Sequence, residues 1–286
     1  MDVAVVDYRS ATAARDFTTS LRDTGFAVLV NHPIDYSMVQ RLQREWLDFF
    51  RSDRKWDFLP AEGGQDGYRP MEEAETAVGF SKKDIKEYFH WYPWGRQPEA
   101  ESKVAREMYD AGFSLAAELL SWVEEYTPAD IAKQFTMPLS QMINGTQRTL
   151  LRILHYPPLR GDEPEGSVRA AAHQDINMIT VLPASNEPGL QVRDLSGKWH
   201  DVPCDPGSVA INAGDMLDYA TGGFFPSTTH QVTNPTGEAA MRSRVSTPLF
   251  LHPADDVVVA KGTTAFEFLR DRIKQIAGVE LQKTTS

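Results

Sequence analysis

The sequence predicts a mainly β protein with flanking helices. The expected core is a sandwich, jelly roll or barrel, with a helical N-terminal region before it and a helix after it. Three observations carry this. From Thr149 onward the chain is a series of short β-rich pieces, LLRILHY, MITVL, GLQVRD, WHDVP, SVAINAG and VSTPLFL. Turn signals separate them: Pro157-Pro158, Pro188-Gly189, Ser196-Gly197, Pro206-Gly207, Gly222-Gly223 and Asn234-Pro235. The first half instead repeats its apolar residues at helical spacing. No Pro/Gly/Ser-rich linker divides the halves, so one domain is expected over 1–286. Within it, 1–147 is mainly helical, 148–253 is the β core and 254–286 carries the terminal helix.

Residues 3–6 read as a short strand. Residues 10–23 fit an amphipathic helix, with Ala14, Phe17 and Leu21 in register and Gly25 as its stop. Residues 26–30 are β-rich, and Asn31, His32 and Pro33 make a turn. Asp35 is placed to cap a helix over 36–50, with Val39, Leu42, Trp46 and Phe49 or Phe50 on one face. Residues 51–81 read as a long irregular connection. The aromatic-dense DIKEYFHWYPW, 84–94, reads as a core edge or an interface to the next helix, with a substrate wall as the alternative. Residues 99–126 form a long helix through Val104, Met108, Ala111, Leu115 and Leu119. Pro128 starts a short helix ending near Phe135. Residues 264–277 form the last helix, with Phe266, Leu269, Ile273 and Ile276 along one side.

Bulk properties narrow the function. The 286 residues are 41% hydrophobic, enough for a sizeable core. One cysteine, Cys204, excludes an internal disulfide framework and a thiolate zinc cluster, and it suits a reducing compartment. A net charge of -11 argues against a nucleic-acid surface and against anionic membranes. No apolar run approaches the roughly 18 residues that span a bilayer. The start, MDVAVVDYRS, lacks a basic region followed by an apolar stretch, so no signal peptide is read there. The expectation is a cytoplasmic protein.

The chemistry centres on AAHQDINMITVLP, 171–183. His173 and Asp175 lie two apart ahead of a β-branched run, and in a strand such residues share a face. A lone His-x-Asp pair is common and carries little weight. Here His230 follows 55 residues after Asp175 in another β-rich piece. Two imidazoles and one carboxylate form the open-faced site that suits Fe(II). Fourteen residues further on, Arg244 and Ser246 present a cation and a hydroxyl on one strand face. A guanidinium there binds a carboxylate bidentately. A 2-oxoacid that chelates the metal through its keto and C1 carboxylate oxygens leaves one position for O2. Its distal carboxylate then needs a partner such as Arg244, with Tyr156 as a further donor.

Several stretches resemble one family. LRDTGFAVLVNHPID is similar to the N-terminal signature of the isopenicillin N synthase-like Fe(II)/2-oxoglutarate dioxygenases. LRILHYPP, AAHQDINMITVLP, GLQVRDLSGKWHDVPCDPGSVAINAGDML, THQVTNP and RVSTPLFLHP follow in the family's order, and the resemblance covers about 5–253. It implies a double-stranded β-helix, or jelly roll, as the catalytic core, with N-terminal helices packed outside. It implies His173, Asp175 and His230 as iron ligands, and Arg244, Ser246 and Tyr156 as 2-oxoglutarate contacts. It also implies hydroxylation or desaturation of a small-molecule substrate, with 2-oxoglutarate decarboxylated to succinate. Leu154 stands where many members have Asn, His32-Pro33 replaces His-Gly, and 237–240 lengthen the segment before Arg244. An Arg-x-Ser pair also occurs in the synthase itself, which uses no 2-oxoglutarate. A same-fold Fe(II) oxidase is therefore the alternative reading, and a non-catalytic jelly-roll binding protein is a third.

The substrate is read from one strand. If 149–156 is a strand with Tyr156 facing the pocket, Arg148, Leu150, Arg152 and Leu154 share its face. Arg152 is then a candidate to meet a carboxylate on an acidic or amino-acid-like substrate, bounded by Phe89 and Trp91. The competing reading sends Arg152 to the barrel rim to pair with an internal acid. His155 should point away from Tyr156. His32 and His252 precede prolines in turns, His200 neighbours Trp199 in a hairpin, and His90 is a weaker candidate to face substrate.

Overall fold

A computed structural model describes residues 1–71, 84–161, 163, 167–185, 189–203, 205–277 and 281. In chain order the elements are β1 (Val5–Asp7), α1 (Ala13–Thr24), β2 (Phe26–Val30), α2 (Tyr36–Arg51), β3 (Gly67–Arg69), β4 (Glu87–Trp91), α3 (Glu99–Glu125) and the short α4 (Ala129–Ala132). Then come β5 (Leu150–Tyr156), β6 (Ala170–His173), β7 (Ile179–Pro183), β8 (Leu190–Arg193), β9 (Trp199–Asp201), β10 (Val209–Ala213), α5 (Asp215–Ala220) and β11 (His230–Val232). The chain ends with β12 (Arg244–Ser246), β13 (Leu249–Leu251), β14 (Val258–Ala260), β15 (Thr263–Thr264) and α6 (Ala265–Ala277).

Two sheets build the core. The larger runs β1-β2-β10-β7-β13-β5-β4-β3, with β12 also on β5, and the smaller runs β6-β11-β8-β9. This is the expected jelly roll. The piece VSTPLFL proves to be two strands, because Pro248 has no N–H to continue a ladder. The division at 147/148 is not a seam. β1 to β4 precede it and lie in the same sheet as β5, β7, β10 and β13, so the N-terminal part completes the sheet as well as covering it.

The helices coat one face of the large sheet. The Asp35 side chain accepts from the Ser37 N–H at 2.8 Å and caps α2 as its sequence foretold. The buried stripe of α2 is Val39, Leu42, Trp46, Phe49 and Phe50. It meets Phe89 of β4, with ring centroids 4.9 Å from Trp46 and 5.7 Å from Phe49. Trp91 packs against Tyr109 of α3 at 5.5 Å. Both Phe89 and Trp91 are fully buried. They therefore face the helices and not the pocket, which corrects their assignment as substrate walls. The physical reason is strand alternation: Tyr88 and His90 take the opposite face of β4.

The span 51–81 is less irregular than expected. Residues Asp53–Phe58 form a 3-10 turn and β3 pairs with β4, while 72–81 fall outside the described residues. Cys204 also falls outside them. Gly25 ends α1 in the left-handed region at φ 73°, and its N–H bonds to the Leu21 carbonyl. A Cβ there would lie 2.2 Å from Thr228 Oγ1, so only glycine lets α1 approach the strand that carries His230. Among the described residues, no helix is long and apolar enough to cross a membrane.

Candidate active site

His173 and His230 are direct cross-strand partners on β6 and β11. Their side chains therefore stand together, with ring centroids 4.4 Å apart. Asp175 joins them differently from the expectation. β6 stops at His173, so Asp175 sits in the loop to β7 and not on the same strand face. Backbone bonds hold this loop: the Asp215 N–H donates to the Asp175 carbonyl at 2.7 Å. One ligand atom from each of the three residues lies within 4.8 Å of the other two. Asp175 Oδ1 is 3.8 Å from His173 Nε2 and 3.7 Å from His230 Nε2.

Every atom facing away from that point is already committed. His173 Nδ1 donates to the Ala171 carbonyl at 2.7 Å, and His230 Nδ1 donates to the Thr228 carbonyl at 3.1 Å. Both bonds select the tautomer that leaves Nε2 as a lone-pair ligand. Asp175 Oδ2 accepts from Thr180 Oγ1 at 2.6 Å and from Asn212 Nδ2 at 2.8 Å, leaving Oδ1 for a metal. Burial pushes the His173 pKa down to about 4, helped by the neighbouring His230, although its side chain stays 40% exposed. Burial alone would raise the Asp175 carboxyl. The two imidazoles and the bonds from Asn212 and Thr180 outweigh it and hold the carboxyl below its ordinary value. A neutral His173 and an ionised Asp175 fit Fe(II), which needs deprotonated ligands.

Arg244 pairs with Tyr156 across β12 and β5, and Ser246 pairs with Leu154. All four share one inward face. The Arg244 guanidinium lies 5.0 Å from the Tyr156 ring centroid, and Arg244, Ser246 and Tyr156 are buried. Tyr156 clusters with Tyr88, Leu154, Ala170 and Val232. Val232 is two residues from His230, so it follows on the same face. The expected cosubstrate contacts therefore open onto the same interior as the triad. A buried cation, a hydroxyl and a phenol suit a carboxylate that would otherwise carry an unpaired charge.

A row of inward residues links the triad to Arg152. Asn212 pairs with Thr180, Thr180 with Phe250, Phe250 with Leu150, and Arg152 with His90. Arg152 is thus two strand spacings across and two residues along from Thr180, which holds Asp175, roughly 12 Å in all. Its Nε donates to His90 Nε2 at 3.0 Å, and His90 Nδ1 donates to the Gln65 carbonyl at 2.9 Å. The guanidinium lies over Tyr88 at 4.9 Å and Phe250 at 5.4 Å. Arg148, two residues before β5, pairs instead with Asp255 at 2.7 Å.

Sequence reasoning missed several participants. Thr180 and Asn212 are polar residues inside apolar strands, and that incongruity was the available signal. Arg169 precedes β6, is fully buried, and reaches 5.9 Å from the Tyr156 ring. The buried pair Lys86–Asp84, at 2.8 Å, also adjoins the site. Asp84 Oδ1 accepts from the Ala171 N–H at 3.0 Å, and the Lys86 charge helps keep His173 neutral.

The model of the 2OG-Fe(II) oxygenase superfamily matches residues 147–253. That of the N-terminal region described as "non-haem dioxygenase in morphine synthesis" matches residues 2–111. A Shewanella oneidensis protein assigned as an oxygenase has a crystal structure that aligns at TM-score 0.88. It is 48% identical, over 98% of this chain and 100% of that one. The chain belongs to the 2OG-Fe(II) oxygenase superfamily. A second member of this family, from Caulobacter crescentus, aligns at TM-score 0.80 with 29% identity over 96% and 99% of the two chains. Gibberellin 2-beta-dioxygenase 1 of Arabidopsis thaliana is 25% identical over 272 residues, covering 88% of this chain and 78% of its own. A Neurospora crassa protein crystallised in complex with alpha-KG and thymine shares the fold at TM-score 0.78 and 21% identity, over 96% of each chain. The protein is thus an Fe(II)- and 2-oxoglutarate-dependent dioxygenase, an enzyme that uses O2.

Proposed function

We propose that His173, Asp175 and His230 hold the iron, that Arg244, Ser246 and Tyr156 hold 2-oxoglutarate, and that the enzyme hydroxylates or desaturates a small acidic or amino-acid-like molecule. One observation carries this reading: three ligand atoms converge, and every opposing atom of the same side chains is already hydrogen-bonded. Bound Fe(II) supplies oxygen activation coupled to decarboxylation of 2-oxoglutarate. The protein supplies the rest. His173 and His230 offer their Nε2 atoms, and Thr180 and Asn212 aim the Asp175 carboxylate. Arg244 neutralises the distal carboxylate of the cosubstrate, with Ser246 donating a hydrogen bond. Arg152 meets the anionic group of the substrate from the same interior, between Tyr88 and Phe250.

The single-domain reading over 1–286 is supported by strands from both halves sharing one sheet. Work in the cytoplasm accords with one cysteine, and a small-molecule rather than a nucleic-acid substrate accords with the charge of -11. The test is a screen of small acids and amino acids with Fe(II), 2-oxoglutarate and O2, scored by succinate formed above the substrate-free rate. Arg152→Leu should then raise the KM of the substrate found while leaving substrate-free 2-oxoglutarate consumption nearly unchanged. An unaltered KM, or equal loss of both activities, rejects Arg152 as the anchor.

A further inference from the structure

A second buried polar chain lies on the opposite face of the strands that carry the cosubstrate contacts. His155 adjoins Tyr156 in β5, and Ser243 adjoins Arg244 at the start of β12, so both point away from the pocket. His155 Nδ1 donates to Glu87 Oε1 at 2.7 Å, and Ser243 Oγ lies 3.1 Å from His155 Nε2. With Nδ1 carrying the proton, Nε2 accepts from the serine hydroxyl. Glu87 also accepts from Lys55 Nζ at 2.9 Å and from the Tyr68 hydroxyl. Burial would raise the Glu87 carboxyl, but the bonds from His155, Lys55 and Tyr68 outweigh it and keep it ionised. The imidazole stacks on Phe50 of α2 at 5.4 Å.

β12 needs such support. It is three residues long, pairs with β5 alone among the described strands, and sits off the main path of the sheet. A slip of one residue would turn Arg244 out of the pocket. Its leading end is gripped from both sides, by Arg169 Nη2 donating to the Arg242 carbonyl at 3.1 Å and by His155 at Ser243. We propose that the Glu87–His155–Ser243 chain is a positioning device that fixes the register of β12 on β5 and so aims Arg244 at the distal carboxylate of 2-oxoglutarate. This gives the 3-10 turn Asp53–Phe58 and β3, which supply Lys55 and Tyr68, a part in cosubstrate binding. It rests on the reading that Arg244 binds that carboxylate.

The test is calorimetric titration of the full chain loaded with Zn(II), which does not react with O2. Two ligands are compared: 2-oxoglutarate, and oxalate, which chelates the metal but has no distal carboxylate. Ser243→Ala should weaken 2-oxoglutarate about three- to tenfold, the effect of one lost hydrogen bond, and leave oxalate within about twofold. Ser243→Thr, which keeps the hydroxyl, should recover most of the loss. His155→Phe, which keeps a ring against Phe50, should lose at least as much as Ser243→Ala. If that variant fails to fold, the Ser243 pair decides alone. Unchanged 2-oxoglutarate affinity in Ser243→Ala, or an equal loss for both ligands, overturns the proposal. Arg244→Ala separates the two levels. If it fails to discriminate the ligands, the Arg244 reading falls and this inference with it. If it discriminates and Ser243→Ala does not, only the positioning role falls.

Discussion

Thr180→Val removes one hydroxyl at nearly constant volume from a site that is 2% exposed. That hydroxyl donates to Asp175 Oδ2 at 2.6 Å, the shorter of the two bonds that aim this carboxylate. A hydrogen bond to a charged group contributes about 1.5–3 kcal/mol. The remaining Asn212 bond keeps Asp175 partly oriented, so the lower half of that range applies, about a 12- to 45-fold loss in metal affinity. This lies within the roughly 10–100-fold typical when an outer partner of a metal ligand is removed. Asn177 Nδ2 loses one acceptor in the variant but keeps the Ile179 carbonyl at 2.8 Å, so the metal-free protein should lose little stability. The assay is anaerobic competition for Fe(II) with a chelator of known affinity, beside thermal unfolding of the metal-free protein. Thr180→Ser should restore binding. Metal affinity within twofold of wild type, at unchanged Tm, would refute the idea that Thr180 aims Asp175.

Three further outcomes follow from the packing and charges. Arg244→Ala should raise the KM for 2-oxoglutarate by about tenfold or more, and Arg244→Lys should recover only part because lysine lacks the planar fork; steady-state kinetics with varied cosubstrate read both. Phe89→Ala should cost about 3–5 kcal/mol in urea unfolding, as for other fully buried phenylalanines, without a specific change in substrate KM. Burial pushes His252 down to about 4, with its Nδ1 on the Phe250 carbonyl, so below its ordinary pKa near 6.5 the unfolded chain takes up a proton the fold refuses. Stability of the metal-free protein should therefore be flat above pH 7 and fall by up to about 1.4 kcal/mol per pH unit from this group between about 6.5 and 4; His252→Asn should flatten that slope in urea titrations at pH 7.5 and 5.5.

The parts legible in the sequence are those set by local pattern. α2 was readable because its cap at Asp35 and its stripe from Val39 to Phe50 are encoded within one segment. The strand placements of His173, His230, Arg244 and Ser246 were readable because each lies in a short β-rich piece whose type needs no tertiary information. Asp175 lies beside the two histidines by a different route from the strand face that the sequence suggests: β6 ends two residues earlier, and the loop is held by Asp215, Thr180 and Asn212 from elsewhere in the chain. Phe89 and Trp91 show the limit of composition. An aromatic-dense stretch states that rings are present, but only the pairing of β4 with β5 decides which ones face the helices and which face the pocket. The Glu87–His155–Ser243 chain joins three widely separated parts of the sequence, and no local pattern announces it.

On the proposed reading, three convergent side chains make this fold an iron-dependent consumer of 2-oxoglutarate. The direct measurement is succinate formed from 2-oxoglutarate by the purified protein, with and without Fe(II) and O2, in wild type and in His173→Ala, Asp175→Ala and His230→Ala. Wild type should form succinate slowly without added substrate and only with both Fe(II) and O2, while each variant should fall to background with its Tm largely kept. Succinate formation at the wild-type rate in any one variant under limiting iron, or none in wild type with iron and oxygen present, would contradict the account.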